Sequence, residues 1–167
     1  MPIEGVCQPE YLLIDDTLRL RRFDGEYAFA LGWYQDAEMV RLVDGKAGLY
    51  DMEKLGRMYR YLDAHGELYF IEIFRDGSFV SVGDVTFWQE DCPIVIGEAG
   101  LRGKGIGRRV VAALIARGRQ LGYDCLYFDE IYDFNAASQR MFEALGFEKY
   151  EKTEKGSRYR LRLEKTL

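Results

Sequence analysis

Apolar and polar positions change period several times along the chain, and each change marks an element. In residues 11–23, Leu12, Ile14, Leu18, Leu20 and Phe23 alternate with charged residues, the period-two pattern of an antiparallel strand pair or one interrupted strand. The period then lengthens. Residues 27–34 and 37–42 read as two short helical pieces. Residues 51–65 form a longer helix, with Leu55, Met58, Tyr59 and Leu62 on one side and Gly66 as the stop. Residues 68–74 and 79–87 are rich in aromatic and β-branched residues around Arg75, Asp76, Gly77 and Ser78, which predicts a β-hairpin. Pro93, Ile94, Val95 and Ile96 follow as a short, continuous apolar run suited to a buried central strand.

Helical spacing returns over residues 105–121. Ile106, Val110, Val111, Leu114, Ile115 and Leu121 cover about half of the circumference, and Arg108, Arg109, Arg119 and Gln120 lie opposite. Gly122 ends that helix, and residues 125–130 read as a second buried strand. A strand, helix, strand unit of this length implies a parallel crossover. Asn135 is a natural N-cap for a helix reaching Leu145, closed by Gly146 with Phe147 in contact. Residues 148–152 and 158–163 flank a turn at 154–157 and predict a final hairpin. The chain therefore reads as a mixed α/β sheet in one domain, residues 1–167, with no repeat, linker or low-complexity tract.

Composition adds a compartment and a charge asymmetry. The first thirty residues mix Glu4, Glu10, Asp15, Asp16, Arg19, Arg21 and Arg22 with apolar ones, unlike a signal or transit peptide, and no run is long enough to span a membrane. Three cysteines, Cys7, Cys92 and Cys125, lack paired spacing and suit free thiols in a reducing compartment, so a cytoplasmic protein is expected. A net charge of −5 argues against a nucleic-acid partner. Residues 1–90 carry 9 Lys+Arg against 17 Asp+Glu, and residues 91–167 carry 14 against 11. An acidic first half beside a basic second half fits a cationic substrate held against an anionic cofactor; two unevenly charged solvated faces are the competing reading.

The anion has an obvious seat. Arg102, Gly103, Lys104, Gly105, Ile106, Gly107 and Arg108 follow a predicted strand and open a predicted helix, where free backbone N–H groups and the helix dipole bind phosphate. A Walker loop is excluded because Glu98 stands at its leading glycine and Gly105 at its hydroxyl position. The dinucleotide fingerprint fails at Arg108, where a third glycine is required. A plain strand-to-helix turn with incidental basic residues remains the alternative.

What Arg102, Gly105 and Gly107 do match is the Arg/Gln-x-x-Gly-x-Gly/Ala pattern of the GNAT superfamily of acyl-CoA-dependent N-acetyltransferases. Downstream, Asn135, Ser138, Phe142, Gly146 and Phe147 resemble the family's second signature. The resemblance covers the chain from about Leu68 onward. Trp33, Asp36 and Glu38 look like the subset that acetylates ribosomal-protein N-termini at serine or alanine. It implies a GNAT-like fold with a mostly antiparallel central sheet, two splayed parallel strands at 93–97 and 125–130, and flanking helices. Acetyl-CoA would lie between them. Its pyrophosphate would rest on the amides from Arg102 to Arg108, and its pantetheine would pair with Val95, Ile96 and Gly97. Folds of this kind pair through sheet edges, so a homodimer is expected.

The chemistry needs a neutral amine, a polarised thioester and a proton for the departing thiolate, and no metal. An alkyl ammonium with pKa about 10.4 is neutral about once in a few thousand molecules at pH 7, and an α-ammonium near 8 about once in ten. Candidate bases are Glu98, Glu130 and Asp84, in that order, each with the alternative of a solvated strand-end carboxylate. His65, the lone histidine, sits in the last turn of a predicted helix and reads as a cap. Many family members carry tyrosine where this chain has Phe142, which has no proton to give. Asn135, Ser138 and Phe142 share a helix face, and the resemblance to the N-terminal acetyltransferases suggests Ser138 as the group that meets the sulfur. The substrate class expected is a primary amine, such as a protein N-terminus. A polyamine, an aminoglycoside, or a catalytically silent acyl-CoA-binding module are the alternatives.

Overall fold

The computed structural model describes residues 1–45 and 48–164. Strands β1 (Tyr11–Asp15), β2 (Leu18–Arg22), β3 (Glu67–Arg75), β4 (Ser78–Phe87) and β5 (Ile94–Ile96) form one sheet in that order, antiparallel throughout. Strands β6 (Cys125–Tyr132), β7 (Glu148–Lys152) and β8 (Gly156–Arg162) form a second antiparallel sheet, in the order β6-β8-β7. A 3₁₀ segment (Ala28–Gln35) and helices α1 (Ala37–Asp44), α2 (Met52–His65), α3 (Ile106–Gln120) and α4 (Ala136–Ala144) complete the chain. The shorter helices are capped as their sequences require: Asp36, Asp51 and Asn135 each accept backbone N–H groups from the first turn of the helix they precede.

The alternation of β3 divides the interior. Tyr69 and Ile71 point to one face of the five-stranded sheet and pack with Leu18, Leu20, Val110, Val111 and Leu114, which seats α3 there. Leu68 and Phe70 point to the other face, with Leu55, Tyr59, Tyr34 and Met39, which seats α2, the 3₁₀ segment and α1. Arg117 of α3 reaches the wholly buried Glu67 with two bonds of 2.5 and 2.7 Å, tying the helix to the first residue of β3.

The expected crossover is present as β5-α3-β6, but its two strands share no ladder. They run together only at one end. The Tyr127 N–H donates to the Gln89 carbonyl at 2.9 Å, and the Asp129 N–H donates to the Asp91 carboxylate at 3.1 Å. Gln89 against Tyr127 and Asp91 against Asp129 means that the segments advance in parallel. Beyond that point they diverge, and β6 carries a bulge at Asp129 and Glu130 that bends it further.

The last strand starts and ends earlier than its sequence reading: Gly156 and Ser157, expected in the turn, open β8, which stops at Arg162 and not at Leu163. Gly156 lies directly opposite Tyr132 of β6. A Cβ there would stand 2.1 Å from the Ile131 carbonyl oxygen, so the glycine serves close approach of two strands.

Candidate active site

The divergence of β5 and β6 opens a cleft of about 730 Å³ that passes between the sheets. On one side it is lined by the loop residues Arg102, Gly103, Gly105, Ile106, Gly107 and Arg108 and by Asn135, Ser138, Arg140 and Met141 of α4. On the other side stand Met39, Leu42 and Val43 of α1. Asp91, Asp129 and Glu130 lie along the wall between them.

The loop is shaped by backbone conformation. Gly103 and Gly105 hold φ of 75° and 82°, in the left-handed region that favours glycine, and a Cβ on either would meet nothing within 4 Å. Conformation, then, and not space, requires glycine at both. Gly105 is the N-cap of α3, whose first turn has no side-chain cap, so the N–H groups of Ile106, Gly107 and Arg108 face the cleft without intrahelical partners. A ligand with phosphate oxygens satisfies them and the helix dipole together.

The cations around this turn divide. Arg108 lines the cleft. Arg109 turns away to the β1–β2 connection, where it bonds Asp15 and holds that carboxyl down at about 2. Lys104 is exposed and outside the lining. Arg102 reaches back, donating from Nε to the Ile96 carbonyl at 3.1 Å and from its terminal nitrogens to Asp36 at 3.4 Å.

The register of β5 decides which backbone groups face the cleft. Gly97 N–H donates to the Val82 carbonyl at 2.7 Å and Thr86 N–H to the Pro93 carbonyl at 3.0 Å, flanking the Asp84–Val95 pair. By antiparallel alternation the polar groups of Val95 point to β4, and those of Ile94 and Ile96 point into the gap. Gly97 is buried beneath Trp33, whose ring would lie 2.2 Å from a Cβ on it. Ile94 belongs to the site and was not singled out in the sequence, because only the pairing with β4 fixes the phase of so short a strand.

The acid and base candidates fall in different surroundings. Glu98 lies outside the cleft lining and takes a bidentate bond from Arg75, at 3.2 and 2.9 Å. Asp84 is 2% exposed in the core beneath β5, where its Oδ2 accepts the Tyr34 hydroxyl at 2.6 Å and the Tyr59 hydroxyl at 2.8 Å. Burial pushes its carboxyl up to about 6, the two phenol donors pulling the other way. Glu130 lines the cleft and, among the described residues, has no ion pair or side-chain hydrogen bond. Burial also lifts Asp91 to about 6; its Oδ1 accepts the N–H groups of Cys92 and Asp129 and so fastens the closed end of the cleft.

Ser138 faces the cleft, its N–H donating to Asn135 Oδ1 at 3.2 Å. Phe142, one turn on, is 1% exposed and packs between Phe128 and Phe147 at ring-centroid distances of 4.5 and 5.2 Å. His65 sits on α2 with Nδ1 2.7 Å from the Tyr61 carbonyl and its ring stacked on Tyr61, far in the chain from any cleft residue. Arg140 and Asp91 also line the site; no local pattern distinguishes them from solvated surface charge.

A loop of this shape at the mouth of a gap between parallel, unpaired strands is a family feature, and the family comparison agrees. The profile described as "Acetyltransferase (GNAT) family" matches residues 33–147. The chain belongs to the acetyltransferase (GNAT) family. No curated protein matches it closely enough to add to that. Among solved structures, a domain from Methanocaldococcus jannaschii is 22% identical with a TM-score of 0.77, covering 89% of this chain and 100% of that one. A Salmonella typhimurium acetyl transferase that modifies the N-terminal serine of a 50S ribosomal subunit protein is 17% identical, with a TM-score of 0.67 over 93% of this chain and 100% of its own. Spermidine N-acetyltransferase from Vibrio cholerae, solved with CoA and spermine, is 14% identical, with a TM-score of 0.68 over 90% and 98%. These likenesses establish the GNAT fold, and family membership places the chain among the N-acetyltransferases. Among the described residues no helix is long and apolar enough to cross a membrane.

Proposed function

We propose that this protein transfers the acetyl group of acetyl-CoA to a primary amine, with a protein or peptide N-terminus as the acceptor. The observation that carries the reading is the cleft itself, lined by the uncapped start of α3, by the edge of β5 that is turned from β4 and by apolar side chains of α1. The pyrophosphate would rest on the N–H groups of Ile106, Gly107 and Arg108, with the Arg108 guanidinium beside it. The pantetheine amides would pair with the polar groups of Ile94 and Ile96, the Ile96 carbonyl accepting with its second lone pair beside its bond from Arg102. The relative from Vibrio cholerae, solved with CoA, supports the same use of the fold.

Glu130 would take the proton of the acceptor ammonium. The freed amine attacks the thioester carbon, the C–S bond breaks, and the nitrogen gives up its second proton as the amide forms, that proton passing to the departing thiolate through the Ser138 hydroxyl or water held by it. An α-ammonium with pKa near 8 asks little of such a base, which favours an N-terminal acceptor over a lysine-like one. The test is thiol release from acetyl-CoA against a panel of peptides and small amines. Amine-dependent release supports the reading, and acetyl-CoA binding without release for any amine favours a silent acyl-CoA-binding module. Ser138→Ala should lower kcat about tenfold or more while leaving acetyl-CoA affinity unchanged; an unchanged kcat removes the serine from the mechanism.

A further inference from the structure

The cleft is lined from both faces of the five-stranded sheet, and the residues on each face limit what the acceptor can be. If acetyl-CoA enters from the α3 and α4 side, as proposed above, the amine must reach the thioester from the α1 side. There the wall consists of Met39, Leu42 and Val43, three apolar side chains one helical face apart. Arg41 lies beside Leu42 in the same helix, its guanidinium 4.7 Å above the exposed ring of Phe134 on the β6–α4 connection. This side therefore offers hydrocarbon with a cation next to it.

Carboxylates in and beside these elements are numerous in the sequence but committed in the fold. Asp36 accepts the N–H groups of Glu38 and Met39 and pairs with Arg102 at 3.4 Å. Asp44 accepts the Tyr50 hydroxyl at 2.8 Å and faces Lys54 at 3.9 Å. Asp129 lies 3.6 Å from Arg158, and Asp91 holds two backbone N–H groups. Glu38 is exposed on the first turn of α1, outside the cleft lining. Among the described residues this leaves Glu130 as the one lining carboxylate with neither an ion pair nor a side-chain hydrogen bond.

We infer that the acceptor is a primary amine bearing a single positive charge on an uncharged, largely apolar carrier, and that polyamines are excluded as substrates. One free carboxylate matches one ammonium. A second ammonium a few methylenes away would lie against Met39, Leu42 and Val43 with no anion to meet it, at the cost of burying an unpaired charge. Arg41, between Met39 and Leu42 in the same helix, opposes it further.

A matched pair of probes tests this. Hexylamine and hexamethylenediamine have the same reach and closely similar amine basicity and differ by the second charge. With acetyl-CoA saturating, hexylamine should show kcat/KM about tenfold or more above the diamine, and Val43→Glu should narrow that ratio by about fivefold or more. An equal or higher value for the diamine, or a ratio unmoved in Val43→Glu with acetyl-CoA affinity intact, overturns the inference. Calorimetric binding of both amines to the protein–CoA complex reads the same preference without turnover. Tighter hexylamine binding supports the inference and equal or tighter diamine binding overturns it. Failure of thiol release for both alkylamines would reflect their high basicity and leave the proposed transfer to the peptide panel, while the binding ratio still decides the inference.

Discussion

Asp84→Asn isolates the cost of the carboxylate buried in the core beneath β5. Asparagine keeps the shape and an oxygen able to accept from both Tyr34 and Tyr59, and it removes the titration. The Asp84 carboxyl stands at about 6 in the folded protein against an ordinary value of 3.8, raised by burial. The folded state therefore binds the proton more tightly than the unfolded state. The stabilisation from that proton is full below 3.8 and is lost as the pH rises through about 6. The gap amounts to about 3 kcal/mol of destabilisation in the wild type at pH 7.5 and about half of that at pH 5. Whatever the new amide costs is independent of pH, and Asp91, also near 6, is common to both proteins and cancels. The stability of Asp84→Asn relative to wild type should thus rise by about 1–2 kcal/mol between pH 5 and pH 7.5. Urea unfolding at the two pH values, followed by the fluorescence of Trp33 and Trp88, measures it. A difference that stays constant, or shrinks as the pH rises, would refute the argument that Asp84 is an ionised group forced into the core.

Other outcomes follow from the same geometry. Gly105→Ala places a Cβ at a φ of 82°, costing about 1–2 kcal/mol in the N-cap conformation, and should weaken acetyl-CoA binding by about tenfold, read by calorimetry. Glu130→Gln should reduce kcat/KM for a peptide acceptor at pH 7 by about a hundredfold, whereas Glu98→Gln, which alters an ion pair with Arg75 outside the cleft, should stay within about twofold. Equal losses in the two variants would remove Glu130 as the base. Arg117→Met leaves Glu67 buried with only the Tyr69 hydroxyl, at 3.0 Å, and should lower the melting temperature by on the order of 10 °C. An unchanged melting temperature would show that this ion pair does not anchor α3.

The sequence alone determined those features whose cause is local. The loop from Arg102 to Arg108 was legible because a left-handed backbone at Gly103 and Gly105 demands glycine and a helix start exposes its N–H groups, whatever the rest of the chain does. The apolar stripe of α3, the Asn135 cap and the hairpin around Asp76 and Gly77 are local in the same sense. Gly156 shows where this ends: next to Ser157 it reads as turn chemistry, and only contact with Ile131 reveals it as a crossing point.

Tertiary structure alone decided what each polar group was free to do. Whether Val95 or Ile94 faces the cleft depends on pairing with β4. Glu98 and Glu130 look alike as strand-end carboxylates. One meets Arg75 across twenty-three residues and the other meets open cleft, a distinction set by charges distant in the chain. Asp84 differs from both because Tyr34 and Tyr59, fifty and twenty-five residues earlier, close over it. A residue's type fixes which proton it can hold; its burial and its partners, assembled from remote segments, fix whether that proton is available to a substrate.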